Sequence, residues 1–154
     1  MKNTLGRRQF LSRTSLTAGG LWLGGLGSAF SQGSPNGRLN VGVIGVANRA
    51  GEDLKAVAAV TGSVNIVALC DIDANYLAAA KLLHPGAKTF GDWRKLLDEK
   101  GIDAVIVGTP DHNHAVATVA ALRSGRHVYC EKPLTHTISE ARIVAETAKR
   151  ERRV

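Results

Sequence analysis

The chain has 154 residues, 44% hydrophobic and 21% charged, with two cysteines and a formal charge of +7. That length predicts one domain, and the composition excludes both a disordered chain and a disulfide-stapled scaffold. The charge does not indicate nucleic acid: Lys2, Arg7, Arg8 and Arg13 precede every acid, and without them sixteen bases face thirteen acids, with no basic stripe interleaved with aromatics.

Residues 1–31 read as an address. Arg7-Arg8-Gln9-Phe10-Leu11 precedes an uncharged run from Leu16 to Phe30, and small residues follow around Ser28, Ala29 and Ser31. A permanent span needs about 20 apolar residues. This run is shorter and carries Gly19, Gly20, Gly24, Gly25 and Gly27, so no permanent membrane anchor is expected. The paired arginines followed by Phe-Leu resemble the twin-arginine export signal, which implies an exported, periplasmic protein that crosses the membrane folded. Residues 32–38, rich in Ser, Gly, Pro and Asn, read as a linker.

From Leu39 onward the pattern alternates strand and helix. Leu39 to Gly45, Asn65 to Cys70, Lys88 to Phe90, Ala104 to Val107 and His127 to Cys130 are short apolar runs of the buried parallel-strand kind. Between them, helices are expected over Ala50 to Val60, Ala74 to Leu83, Asp92 to Glu99 (capped by Asp92) and His114 to Ser124, the last closed by Gly125. Ser139 opens a final helix with Ile143, Val144 and Ala148 on its apolar face. The fold class is therefore α/β: a three-layer, doubly wound parallel sheet with strand order 3-2-1-4-5. In that order Cys70 and Cys130 lie three strand spacings apart, roughly 14 Å, beyond the reach of a disulfide. Both are expected to be free, buried thiols.

Ligands of such sheets bind outside the carboxyl ends of the strands, and the unusual residues gather there: Gly45 to Arg49, Asp71 and Asp73, Thr109 to His114, and Glu131 to Pro133. The first turn is a reduced dinucleotide fingerprint, with Gly45 in place but Ala47 and Ala50 at the other two glycine positions. Ala47 lengthens the backbone approach to a pyrophosphate. Asp71 ends the second strand, where an acid can accept from the adenosine ribose hydroxyls and repel a 2′-phosphate, so NAD is expected over NADP. Asp73 caps the next helix. Asp111-His112-Asn113-His114 offers two close histidines without a third strong ligand; it reads as a loop lining the nicotinamide pocket, and no metal is expected. In Glu131-Lys132-Pro133 the proline holds Lys132 over the end of the sheet, where a lysine amine in a partly desolvated cleft can act as acid or base on a hydroxyl.

Leu39 to Gly45, Cys70-Asp71-Ile72-Asp73, Thr109-Pro110-Asp111-His112 with His114, and Glu131-Lys132-Pro133-Leu134 together resemble the Gfo/Idh/MocA family of oxidoreductases. The resemblance implies a Rossmann domain over residues 39–154 that binds NAD. It also implies hydride transfer between nicotinamide and a sugar or cyclitol hydroxyl. Lys132 would assist proton transfer at the reacting carbinol, Glu131 and Pro133 would help seat the cofactor, and Thr109, Pro110 and His114 would border the nicotinamide ribose. Gly45, Ala47, Asn48, Arg49 and Asp71 complete the expected cofactor site.

The family's second, substrate-binding domain is not among these 154 residues. The chain alone is accordingly expected to be inactive, either a fragment or a free-standing cofactor domain, and to form a homo-oligomer only with that second domain. Two alternatives stand beside the dehydrogenase reading: an NAD-dependent glycosidase of the same family, or a non-catalytic nucleotide-binding module.

Overall fold

The computed structural model describes residues 37–154 except Thr61. The twin-arginine reading and most of the expected linker lie outside the described residues. In chain order the elements are β1 (Leu39–Ile44), α1 (Asn48–Ala58), β2 (Val64–Cys70), α2 (Ala74–Leu83) and β3 (Lys88–Phe90). There follow α3 (Trp93–Asp98), β4 (Ala104–Val107), α4 (Asp111–Arg123), β5 (His127–Cys130) and α5 (Ile138–Glu151). The five strands form one sheet in the order β3-β2-β1-β4-β5, with every neighbouring pair parallel. That is the expected doubly wound topology.

Alternation along the central strands builds a core on each face of the sheet. Val41 and Val43 point to one side, where they meet Leu54 of α1 and Ala80 of α2. Ile44 points to the other, with Val105, Val107, Leu96 of α3 and Ala117 of α4. Each large apolar side chain buried this way contributes about 1.5–3 kcal/mol. Cys70 and Cys130 are free and sit on strands separated by two others. Cys70 is buried, as expected, but Cys130 is only half-buried.

Helix starts follow their side chains. The Asp73 carboxylate accepts from the Asn75 and Tyr76 N–H groups at 2.8 and 3.3 Å, and Asp92 accepts from the Arg94 N–H at 2.9 Å. Satisfying an orphan donor this way is worth about 1 kcal/mol. The last helix begins one residue earlier than expected because Thr137 and Glu140 form a reciprocal capping box. Its apolar face also differs: Val144 is buried, whereas Ile143 is 48% exposed. The largest boundary correction is α4, which starts at Asp111 rather than His114. The expected Asp-His-Asn-His loop is the first turn of a helix, and its two histidines point to different places.

Candidate functional site

The turn after β1 depends on what its residues lack. Gly45 has φ +88°, and a Cβ there would meet the Gly108 carbonyl oxygen at 2.6 Å. Only glycine fits both constraints. At the third fingerprint position Ala50 is 1% exposed, so the helix closes on the sheet despite its methyl group. The reason lies 58 residues further on, since a Cβ on Gly108 would fall on the Ala50 Cβ. The glycine missing from the turn is supplied by the facing strand end. Asn48 opens α1 with φ +50°, a left-handed conformation that asparagine tolerates better than most residues. No side chain caps α1 at Ala47, which leaves the first-turn N–H groups and the positive end of the helix dipole free for an anion.

Asp71 faces this turn. Its Oδ2 accepts from the Val46 N–H at 2.9 Å and its Oδ1 from the Asp73 N–H at 3.0 Å. Those bonds fix the carboxylate at the strand end and leave lone pairs on both oxygens for further donors. A cleft of about 740 Å³ opens between Asp71, the β1 turn and the end of β4. Of the residues expected to form the site, Gly45, Ala47, Asn48, Asp71, Thr109 and Pro110 line it. Cys70 also borders it, with its thiol pushed up to about 12 by burial and then by the neighbouring Asp71 charge. It is an uncharged wall of the cleft and not a nucleophile.

The remaining expected residues, Arg49, His114, Glu131, Lys132 and Pro133, stand outside that lining. His114 is 1% exposed. Its Nε2 lies 2.6 Å from the Thr109 carbonyl oxygen and its Nδ1 2.7 Å from that of Pro133. It therefore clamps the turns after β4 and β5 together from beneath, while His112, not His114, reaches the cleft. Glu131 is buried, and its Oε1 accepts from Arg49 Nε and the Tyr129 hydroxyl, each at 3.2 Å. Its Oε2 accepts from the Lys132 N–H at 3.0 Å, the main influence holding the Glu131 carboxyl below its usual range. Arg49 belongs to the same ion-pair network. The Lys132 side chain stands exposed beyond β5, next to the strand end that carries Thr109.

Sequence reasoning missed one wall. Ile72, 94% exposed, faces the cleft together with Asp92, Trp93 and Arg94, and the Arg94 guanidinium lies over the Trp93 ring at 4.6 Å. Asp92, Trp93 and Arg94 follow β3, only three residues long, whose end is not among those read as ligand-bearing, and Ile72 lies next to Asp71 just after β2. The arrangement suits an extended, anionic ligand: its charge at the α1 N-terminus, hydroxyl groups at Asp71, and an ammonium group at the far end of the sheet.

Residues 39–154 match the model of the oxidoreductase family GFO_IDH_MocA, NAD-binding Rossmann fold. The chain is 32% identical over 113 residues to an inositol 2-dehydrogenase of Salmonella typhimurium, covering 73% of this chain and 34% of that protein. It is 34% identical over 146 residues to a glycosyl hydrolase family 109 protein of Solibacter usitatus, covering 81% and 33%. Among solved structures, a 3-ketoreductase from Actinomadura kijaniata in complex with NADP superposes with a TM-score of 0.69 at 29% identity, covering 76% and 36%. The chain thus spans about a third of the length of the curated relatives it matches.

Proposed function

Because this chain belongs to the Gfo/Idh/MocA oxidoreductase family and carries its NAD-binding Rossmann domain, we propose that it serves an NAD-dependent dehydrogenase acting on a sugar-like or cyclitol hydroxyl. The uncapped start of α1 facing Asp71 across the cleft carries this reading. The diphosphate would sit at the first-turn N–H groups of α1, and the adenosine ribose hydroxyls would donate to the free lone pairs of Asp71. A bound nicotinamide supplies the hydride acceptor or donor. Lys132 Nζ would accept the proton of the substrate hydroxyl in the oxidising direction and return it in the reverse. His114 and Glu131 hold the two turns on either side of that event.

Titration of the purified chain with NADH tests the cofactor reading: saturable binding is expected, and none at millimolar NADH overturns it. The match to a family 109 hydrolase favours a second reading, a glycosidase that oxidises and re-reduces its sugar. Net reduction of added NAD⁺ by a polypeptide that includes the substrate domain separates the two, because the hydrolase gives none. Arg7-Arg8 and the apolar run after them support export through the twin-arginine route to the periplasm. A reporter fused to residues 1–36 should be exported, and the double change Arg7→Lys, Arg8→Lys should stop it; unchanged export would refute the assignment.

A further inference from the structure

Behind the Lys132 turn three carboxylates crowd one guanidinium. Arg49 Nη1 reaches Glu52 Oε2 at 2.9 Å, Nη2 reaches Asp53 Oδ1 at 2.9 Å and Nε reaches Glu131 Oε1 at 3.2 Å. The Glu52 side chain is 70% exposed, and water solvates it. Those of Asp53 and Glu131 are 7% and 8% exposed. Two buried carboxylates against one cation form an unbalanced set, since each buried charge needs its own compensation.

Their hydrogen bonds show how the imbalance resolves. Glu131 receives three donors, from Arg49, Tyr129 and the Lys132 N–H. Asp53 Oδ2 is fully buried with no partner among the described residues. A charged oxygen in that position is costly, whereas a protonated one can donate to a carboxylate facing it. Burial first, and then the Glu131 charge, push the Asp53 carboxyl above its usual range. Of the two acids Glu131 is the better compensated, and Asp53, with one oxygen unpartnered, is the one whose ionisation the site resists.

We propose that Asp53 is a positioning residue for Lys132: through Arg49 and Glu131, its carboxyl locks the turn that carries the lysine to the first turn of α1, where the cofactor diphosphate would sit. Ionising Asp53 places a second buried charge at Arg49, draws the guanidinium away from Glu131 and loosens the Glu131 hold on the Lys132 N–H. The groups facing the pair are Arg49 and Glu52 from α1, and the Tyr129 hydroxyl and the Lys132 backbone N–H from β5 and its turn. The inference rests on the reading of Lys132 as the acid–base group, but its test needs no cofactor.

The Lys132 amide of the ¹⁵N-labelled 154-residue chain, without nucleotide, reports the lock directly. Its proton shift should titrate above the ordinary carboxylate range, about pH 4, and its exchange protection should fall through the same step. Asp53→Asn, which keeps the shape and cannot ionise, should abolish that step and leave the amide protected. Arg49→Ala should lower protection about tenfold, the equivalent of one lost hydrogen bond. A wild-type Lys132 amide with no step above the ordinary range overturns the proposal, and so does an Asp53→Asn profile identical to wild type. Should Asp53→Asn fail to fold, the wild-type titration decides alone. Absence of NADH binding would refute the proposed function and leave this result standing.

Discussion

The turn after β1 is built from small residues: Gly45 and Ala50 fit because Gly108 yields space, and the donors it offers belong to the backbone. The turn after β5 is built from charged side chains, with Glu131 buried against Arg49 and Lys132 left exposed. Both close parallel strands of one sheet, yet steric exclusion sets the first and electrostatic balance the second. A cofactor's diphosphate needs close, rigid backbone, which any side chain obstructs. A reacting hydroxyl needs one mobile proton carrier whose support is fixed by its neighbours.

The sharpest break in that comparison is Lys132→Ala. In a polypeptide that includes the substrate domain it should cut turnover by about 10²–10⁴-fold and leave NADH affinity within about twofold, because uniform binding is untouched. Steady-state rates beside a fluorescence titration check both arms. A steric test of the other turn comes next. Gly108→Ala should cost about 1–3 kcal/mol of stability through overpacking on Ala50, and adding Ala50→Gly should restore most of it. Chemical denaturation of the four proteins measures the coupling; additive costs would refute the substitution of one glycine for the other.

Asp71→Ala should narrow the preference for NADH over NADPH by about tenfold, the worth of one modest charged contact. An unchanged ratio of dissociation constants would remove Asp71 from the ribose site. A last effect, confined to alkaline pH, concerns the uncharged wall of the cleft. Cys70 holds its proton in the folded state to about 12, whereas an unfolded thiol loses it near about 8.5. The folded state therefore binds more protons across that window, and stability must fall as pH rises through it. Cys70→Ser should flatten the alkaline decline in melting temperature, while a decline of equal slope would assign it to other groups.

The order and type of the ten elements were legible from short range. Period-two and unbroken apolar runs, an aspartate before a helix and a glycine after one all act within a few residues, and the strand order expected for a doubly wound sheet is the one observed. Of the residues the strand-end rule picked out, Gly45, Ala47, Asn48, Asp71, Thr109 and Pro110 line the cleft, whereas Arg49, His114, Glu131, Lys132 and Pro133 do not. What the sequence withheld was the destination of long polar side chains. His114 turned inward because α4 starts three residues early and points the ring at two carbonyl groups. Arg49 turned from the nucleotide turn to a glutamate 82 residues away, and Ala50 was accommodated by a glycine on another strand. Local pattern determined where backbone runs and turns, because those forces are local. Only the assembled sheet decided which buried charges and missing side chains meet, because partners for them are chosen by proximity in space.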